Sequence, residues 1–161
     1  MQTIQSVPLL PSRAPDGNKG DFGRVLIIGG SRGMAGAPCL AARGAYRGGA
    51  GLVRVAVPEA IWDIVAVKLD ECLTEGLGCG GIFAKSDFKT LSKSCAWADV
   101  IVLGPGLGQA PGTIQLVRRI VSEIDKPMLL DADALNAFQD GAVRQLQKAA
   151  RKFPRRALVL T

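Results

Sequence analysis

The fold class of this chain is decided by one segment, RVLIIGGS at residues 24–31. Its run of Val, Leu, Ile and Ile is unbroken by polar residues, which predicts a strand buried on both faces, as in a parallel sheet. Gly29 and Gly30 end the run and open a turn. A helix rich in small side chains is predicted to follow from Met34 to Gly48.

The same alternation of strand and helix continues through the rest of the chain. Further strands are predicted at 52–57, 100–103, 128–130 and 157–160, a possible short strand within the glycine-rich segment 72–82, and helices at 60–69, 87–96, 113–124 and 141–152. This order predicts an α/β fold with a mainly parallel sheet and right-handed crossovers. Residues 1–17, with their prolines, are expected to form an irregular arm.

Composition excludes several classes of protein and site. The chain has 161 residues, of which 48% are hydrophobic, so it suits one compact domain and is not largely disordered. It contains no histidine, which excludes Ser-His-Asp triads and His-ligated zinc. Cys39 and Cys95 have apolar neighbours and are predicted to be buried. No signal peptide or apolar run of membrane-spanning length is present, so a cytoplasmic location is expected.

The net charge of +6 arises mainly near the end of the sequence, where six cations crowd together: Arg144, Lys148, Arg151, Lys152, Arg155 and Arg156. One interpretation is a nucleic-acid patch. The favoured interpretation is the solvated face of an amphipathic helix, because aromatic residues for stacking are scarce. Attraction for an anionic small molecule such as a nucleotide is also compatible.

Three predicted strands end in glycines or acids, at 29–31, 104–108 and 131–133. Ligands of open α/β sheets bind beyond the carboxyl ends of strands, so these three ends form the site hypothesis. Neither the dinucleotide G-x-G-x-x-G pattern nor the Walker pattern fits. For the first turn, ligand approach and simple packing both stay open, and Asp133 could equally cap a helix. Asp131 needs a partner or ligand because it follows a buried strand.

Five motifs in order carry a resemblance: NKGDFGRVLIIGGS at 18–31, GAP at 36–38, GGAGLV at 48–53, GPGLG at 104–108 and DADALN at 131–136. Together they resemble the NAD(P)H-hydrate dehydratases, a family of the ribokinase-like superfamily. The resemblance implies a three-layer α/β/α domain of ribokinase-like fold.

The resemblance also implies an activity. Such a hydro-lyase converts hydrated NADH or NADPH back to the intact cofactor, using ADP or ATP as phosphoryl donor with Mg²⁺. Phosphorylation turns the ring hydroxyl into a good leaving group, phosphate. The family further implies a homo-oligomer, a tetramer, and no nucleic-acid or membrane partner.

Single residues carry over by their position in the motifs. Ala37 matches a position that lines the hydrated-nicotinamide pocket, and Gly106 matches a second substrate contact. Four more residues match recurrent motif positions expected near the site: Lys19, Gly30, Asp133 and Asn136. Asn18 stands where many members carry His, and no metal ligand is assigned.

Thr161 matches the first residue of the family's Thr-Pro-His-Pro-Gly-Glu motif. The resemblance therefore implies that residues 1–161 are the N-terminal portion of one domain, truncated at the C-terminus. The catalytic Gly-Thr-Gly-Asp turn and the nucleotide-binding lysine segment are expected beyond Thr161, so the isolated chain is expected to be inactive. Two alternatives stay open: a ribokinase-like kinase for a vitamin precursor or sugar, and a non-catalytic nucleotide-binding remnant.

Overall fold

The computed structural model of the chain describes residues 15–161 apart from Cys79 and Asp140. Most of the predicted N-terminal arm, residues 1–14, lies outside the described residues. Its described part, 15–17, is irregular.

Strands and helices alternate along the described chain. The strands are β1 (Arg24–Ile28), β2 (Leu52–Pro58), β3 (Leu73–Leu77), β4 (Val100–Leu103), β5 (Met128–Leu130) and β6 (Leu158–Leu160). The α-helices are α1 (Gly36–Arg47), α2 (Trp62–Lys68), α3 (Phe88–Trp97), α4 (Pro111–Glu123), α5 (Asp133–Asn136) and α6 (Val143–Lys152). Short 3-10 turns occupy Lys19–Phe22, Glu59–Ile61 and Lys85–Asp87.

The six described strands form one sheet in the order β3-β2-β1-β4-β5-β6, and every pairing is parallel. This confirms the parallel sheet that the RVLIIGGS segment predicts. The chain first runs outward from β1 to β3 and then crosses to β4 on the other side of β1. The carboxyl ends of β1 and β4 therefore flank the point where the strand order reverses, which is where such sheets bind ligands.

Helices cover both faces of the sheet. Because side chains alternate along a strand, Ile27 of β1 packs in a core with Cys39 and Val65 from the α1 and α2 side. Leu26 and Ile28 point to the other face, in the larger core that α3, α4 and α6 cover. The two cores confirm the expected three-layer α/β/α arrangement.

Several boundaries differ from the sequence expectations. The helix predicted at 60–69 begins only at Trp62, because Glu59–Ile61 forms a 3-10 turn. The helix predicted at 113–124 begins at Pro111, which takes the first helical position. Proline lacks an N–H, but the N–H at that position would have no partner within the helix.

Cys39 and Cys95 are buried as predicted, and burial raises the pKa of the Cys95 thiol to about 12. No helix in the described part of the chain is long and apolar enough to cross a membrane.

Arg156 departs from the predicted solvated cationic face. Its side chain is buried, and its Nη1 donates hydrogen bonds to the carbonyl oxygens of Val121 (2.8 Å) and Ile124 (2.9 Å) at the end of α4. Burial lowers the pKa of Arg156, although nearby Asp125 acts in the opposite direction. The other five cations of that group are exposed, as predicted. Arg156 therefore holds the end of a helix and does not belong to the exposed cationic face.

Candidate functional site

Hydrogen bonds join the loops that follow β1 and β4 at the carboxyl edge of the sheet. The Gly30 amide donates to the carbonyl oxygen of Pro105 at 2.8 Å. The Ser31 hydroxyl, which is buried, donates to the carbonyl oxygen of Gly106 at 2.8 Å. Two of the three strand ends named by the sequence therefore form one structure.

The third strand end meets this structure through a close backbone approach at Gly104. A Cβ atom there would overlap the carbonyl oxygen of Asp131, and the positive φ of 131° is itself unfavourable for other residues. Glycine is thus required where the loops after β4 and β5 touch. All three predicted strand ends come together at one place.

Asp133 ties the loops after β4 and β5 together through its side chain. Its carboxylate accepts hydrogen bonds from the Gly108 amide (2.8 Å), from Gln109 Nε2 (3.1 Å) and from Asn136 Nδ2 (3.3 Å). The capping alternative for Asp133 is wrong: the N-cap of α5 is Ala132, and Asp133 is the first helical residue. The carboxylate therefore fixes the glycine-rich loop 104–108 against α5.

A cavity of about 320 Å³ opens where these loops meet the first half of α1. Its lining is mostly apolar and consists of Ala37, Leu40, Ala41, Pro105, Gly106, Asp131 and Ala132. Asp131 supplies the one charged side chain in this lining, and its Oδ1 accepts a hydrogen bond from the Thr161 hydroxyl at 3.1 Å. An apolar cavity with one acceptor suits a small, flat, polar-edged ligand.

Ala132 has a strained backbone at the edge of this cavity. Its φ of 45° with ψ of −107° is a sparsely populated conformation for a residue with a side chain. Its carbonyl oxygen accepts bonds from the Leu135 and Asn136 amides at 3.0 Å, which hold the turn in place. Such strain is found preferentially at functional sites, which agrees with the position of Ala132 beside the cavity.

The structure brings five of the six residues proposed from the sequence to this edge. Ala37 and Gly106 line the cavity, and Asp133 and Asn136 lie in the hydrogen-bonded network beside it. Gly30 is buried behind the lining, with its amide already bound, and a Cβ there would come within 2.8 Å of Ile61 Cδ1. For the turn at Gly30 the structure favours the packing alternative.

Lys19 is not brought together with the other five. Its 3-10 turn lies against Gly51, at the amino-terminal ends of β1 and β2, on the edge of the sheet opposite the cavity. Asn18, just before it, caps that turn by accepting a hydrogen bond from the Gly20 amide at 2.8 Å. A role for Lys19 in substrate binding stays a prediction.

Leu40 and Ala41 lie outside the strand ends named from the sequence, whereas Ala132 lies within the end at 131–133 but carried no individual prediction. A signal for the first two exists, because Ala37, Leu40 and Ala41 are spaced i, i+3 and i+4 and so share one face of α1. Leu40 is 73% exposed, an unusual position for leucine. The strain at Ala132 has no signal in the sequence.

The carboxylates near the cavity accept hydrogen bonds from within the protein. Among the described residues, no three Cys, Asp or Glu side chains converge as a metal centre. Near the cavity, Asp131 is hydrogen-bonded to Thr161 and Asp133 to Gly108.

A larger groove, of about 840 Å³, lies between α4 and α6, away from the strand ends. The smaller cavity is nevertheless the candidate site, because it lies at the point where the strand order reverses.

Comparisons with known proteins find matches that cover most of the chain. A family model described as NAD(P)H-hydrate dehydratase matches residues 25–161. The bifunctional NAD(P)H-hydrate repair enzyme Nnr of Salinibacter ruber is 47% identical over 131 residues, which are 80% of this chain and 24% of that protein. The chain thus spans about a quarter of the length of this curated relative.

Two solved structures show the same fold. A ribokinase-like superfamily protein from Enterococcus faecalis superimposes with a TM-score of 0.69 at 22% identity, covering 93% of this chain and 61% of that one. The ADP/ATP-dependent NAD(P)H-hydrate dehydratase of Bacillus subtilis, co-crystallised with ATP and Mg²⁺, gives a TM-score of 0.61 at 24% identity, covering 94% and 62%. At these identities the likeness establishes the ribokinase-like fold alone.

Proposed function

This chain belongs to the NAD(P)H-hydrate dehydratase family, and on that premise we propose that it contributes the substrate pocket for dehydration of hydrated NADH or NADPH. ADP or ATP is the proposed phosphoryl donor, because the structurally similar B. subtilis dehydratase is ADP/ATP-dependent. The proposed reaction class is that of a hydro-lyase that repairs damaged nicotinamide nucleotides. Homo-oligomerisation stays a prediction.

One observation carries the proposal: the cavity at the strand ends is lined by Ala37 and Gly106, the two residues that the resemblance assigns to substrate. They come from different elements, 69 positions apart in the sequence, and meet only in the fold. The cavity of about 320 Å³ is at the small end of the range for ligand sites, which suits one ring better than a whole dinucleotide. We therefore place the hydrated nicotinamide ring there.

The chemistry demands a dry, fixed environment for that ring. Hydroxide is a poor leaving group, and the donor nucleotide, when bound, supplies the phosphoryl group that lets phosphate leave instead. Catalysis of phosphoryl transfer rests mainly on positioning and electrostatic stabilisation. Ala37, Leu40 and Pro105 present apolar surface to the ring, and Gly106 lets the backbone approach it closely.

Asp131 is the polar group that would orient the ring. Its carboxylate can accept a hydrogen bond from the ring hydroxyl or from the carboxamide N–H while Thr161 holds one of its oxygens. No three of the described carboxylates converge on a position for Mg²⁺. The roles assigned to this chain are binding and orientation of the substrate.

Filling the cavity tests the proposal. The variant Ala37→Leu should weaken binding of hydrated NADH at least tenfold in calorimetric titration, because the added side chain occupies the ring's space. The matched control is Ala96→Leu, the same change at an exposed position of α3. Equal affinity of the wild type and both variants for hydrated NADH would show that the ring does not bind in this cavity.

The kinase alternative gives a different product. In a protein that carries this chain with its natural remainder, hydrated NADH with ADP and Mg²⁺ should regain the absorbance of NADH. A phosphorylated product that persists, with no return of that absorbance, would instead identify a kinase.

A further inference from the structure

A second concavity, unrelated to the strand ends, lies on the outer surface of the layer formed by α3, α4 and α6. We name it the cationic groove; it measures about 840 Å³ and is lined by Lys85, Gln115, Arg118, Arg119, Ser122, Glu123, Gln145, Lys148, Ala149 and Lys152. These residues come from the 3-10 turn before α3, from α4 and from α6. The groove is thus built by three separate stretches of the sequence.

Its charge is strongly unbalanced. Five cations and one carboxylate line the groove, a formal sum of +4. The one carboxylate, on Glu123, is already paired with Arg119 at 2.9 Å. Within the described residues, the other four cations have no carboxylate within salt-bridge distance. Positive charge is therefore concentrated in the groove, with Glu123 as the one counter-charge in its lining.

Intramolecular hydrogen bonds account for only part of this set. Arg118 Nε donates to the carbonyl oxygen of Ala137 at 2.7 Å, and Lys152 Nζ donates to that of Ser122 at 3.0 Å. Among the residues that the structure describes, the ammonium groups of Lys85 and Lys148 bind no protein acceptor. Two donors, from different segments, are therefore free to bind a ligand.

The concave shape of the surface distinguishes this groove from an ordinary solvated helix face. On a convex helix surface, cations point apart into water, whereas here cations of two helices and a turn line one concavity. Like charges gathered in this way repel each other, and a bound anion would relieve that repulsion. Gln115 and Gln145 add uncharged donors suited to phosphate oxygens.

We propose that the cationic groove binds a small polyanion, a molecule that carries at least two phosphate groups. Its volume lies within the range of small-molecule sites. Single-stranded nucleic acid fits less well, because the nearby rings are covered by cations: Arg119 lies 3.9 Å from the Phe88 centroid and Lys152 lies 4.9 Å from that of Phe153. Bases would have to displace these cations to stack on the same faces of the rings.

The test uses tripolyphosphate as the probe in calorimetric titration of the full chain. The double variant Lys85→Gln and Lys148→Gln should lose about tenfold in affinity for tripolyphosphate, because it removes the two free ammonium groups. The control double variant, Lys68→Gln and Lys93→Gln, makes the same change of charge at exposed positions of α2 and α3 outside the groove. It should bind tripolyphosphate within twofold of the wild type.

Several outcomes would overturn the proposal. These are no binding of tripolyphosphate at millimolar concentration, equal losses in the two double variants, or tenfold weaker binding in Ala37→Leu. Orthophosphate that binds as tightly as tripolyphosphate would contradict a polyanion site. Single-stranded RNA that binds through Lys85 and Lys148 when tripolyphosphate does not would replace the small molecule with a nucleic acid. Because the groove and the cavity are tested by different variants, either assignment can fail alone.

Discussion

The two concavities of this protein are built in opposite ways. The cavity at the strand ends is apolar, contains one carboxylate and is shaped by backbone, through the close approach at Gly104 and the strained turn at Ala132. The cationic groove is shaped by long side chains on regular helices. A site made of backbone tolerates almost no added atom, whereas a site made of side chains can be altered in charge without disturbing the fold.

The largest effect should follow from adding one methyl group at Gly104, where the backbones of two loops beside the cavity touch. Gly104→Ala places a Cβ against the carbonyl oxygen of Asp131 in a strained conformation, so the free energy of unfolding should fall by about 3 kcal/mol or more. Urea denaturation measures the loss. The control Gly36→Ala lies in α1 with no heavy atom within 4 Å of the new Cβ, and it should be neutral or slightly stabilising. Similar free energies of unfolding for the two variants would show that the backbone contact at Gly104 does not shape the cavity at the strand ends.

A smaller effect is expected where a side chain supports the same cavity. Asp133→Ala removes the acceptor for the Gly108 amide and for Gln109, so the free energy of unfolding should fall by about 2 kcal/mol. Binding of hydrated NADH should weaken as well, because loop 104–108 loses its tie to α5. The exposed Asp70 provides the control Asp70→Ala, which should change neither property. If both aspartate variants behave alike, the carboxylate network does not support the site.

The smallest effect is expected at Arg156, and it tests whether this residue belongs to the cationic groove. Arg156→Ala should reduce the free energy of unfolding by only about 1 kcal/mol. The variant loses the bonds to Val121 and Ile124, but it also removes Nε and Nη2, whose burial without a partner is unfavourable in the wild type. Its affinity for tripolyphosphate should equal that of Arg155→Ala, the exposed neighbour. A tenfold loss confined to Arg156→Ala would extend the groove to this residue.

Much of the fold could be predicted because the apolar runs are short and bounded by glycine or proline. The strands at 24–28, 100–103 and 128–130 agree with the structure residue for residue, since each run is bounded on both sides by glycine, proline or aspartate. The short strand β3 was only a possible strand in the sequence, because glycines interrupt its pattern. Helix starts differ from the prediction where a 3-10 turn precedes the helix, as before Trp62, or where proline takes the first helical position, as at Pro111.

The candidate site was predictable in position but not in its bonding. Strand ends with glycines and acids indicated the carboxyl edge, and three of them do meet there. The sequence could not show that Asp133 holds loop 104–108 and does not cap α5, because both roles place an acid at the start of a helix. It also could not show that the amide of Gly30 is already bound within the protein.

The sequence by itself determined the class of fold, the edge of the sheet that carries the site and, through five ordered motifs, the family. These properties are local, since they follow from runs, turns and spacings within short stretches of the chain. Only the tertiary structure decided which residues share a cavity, that Lys85 joins Lys148 in one groove, and that Arg156 is buried among helix carbonyls. Those depend on contacts between residues distant in the sequence, where packing and charge are set by neighbours that no local pattern identifies.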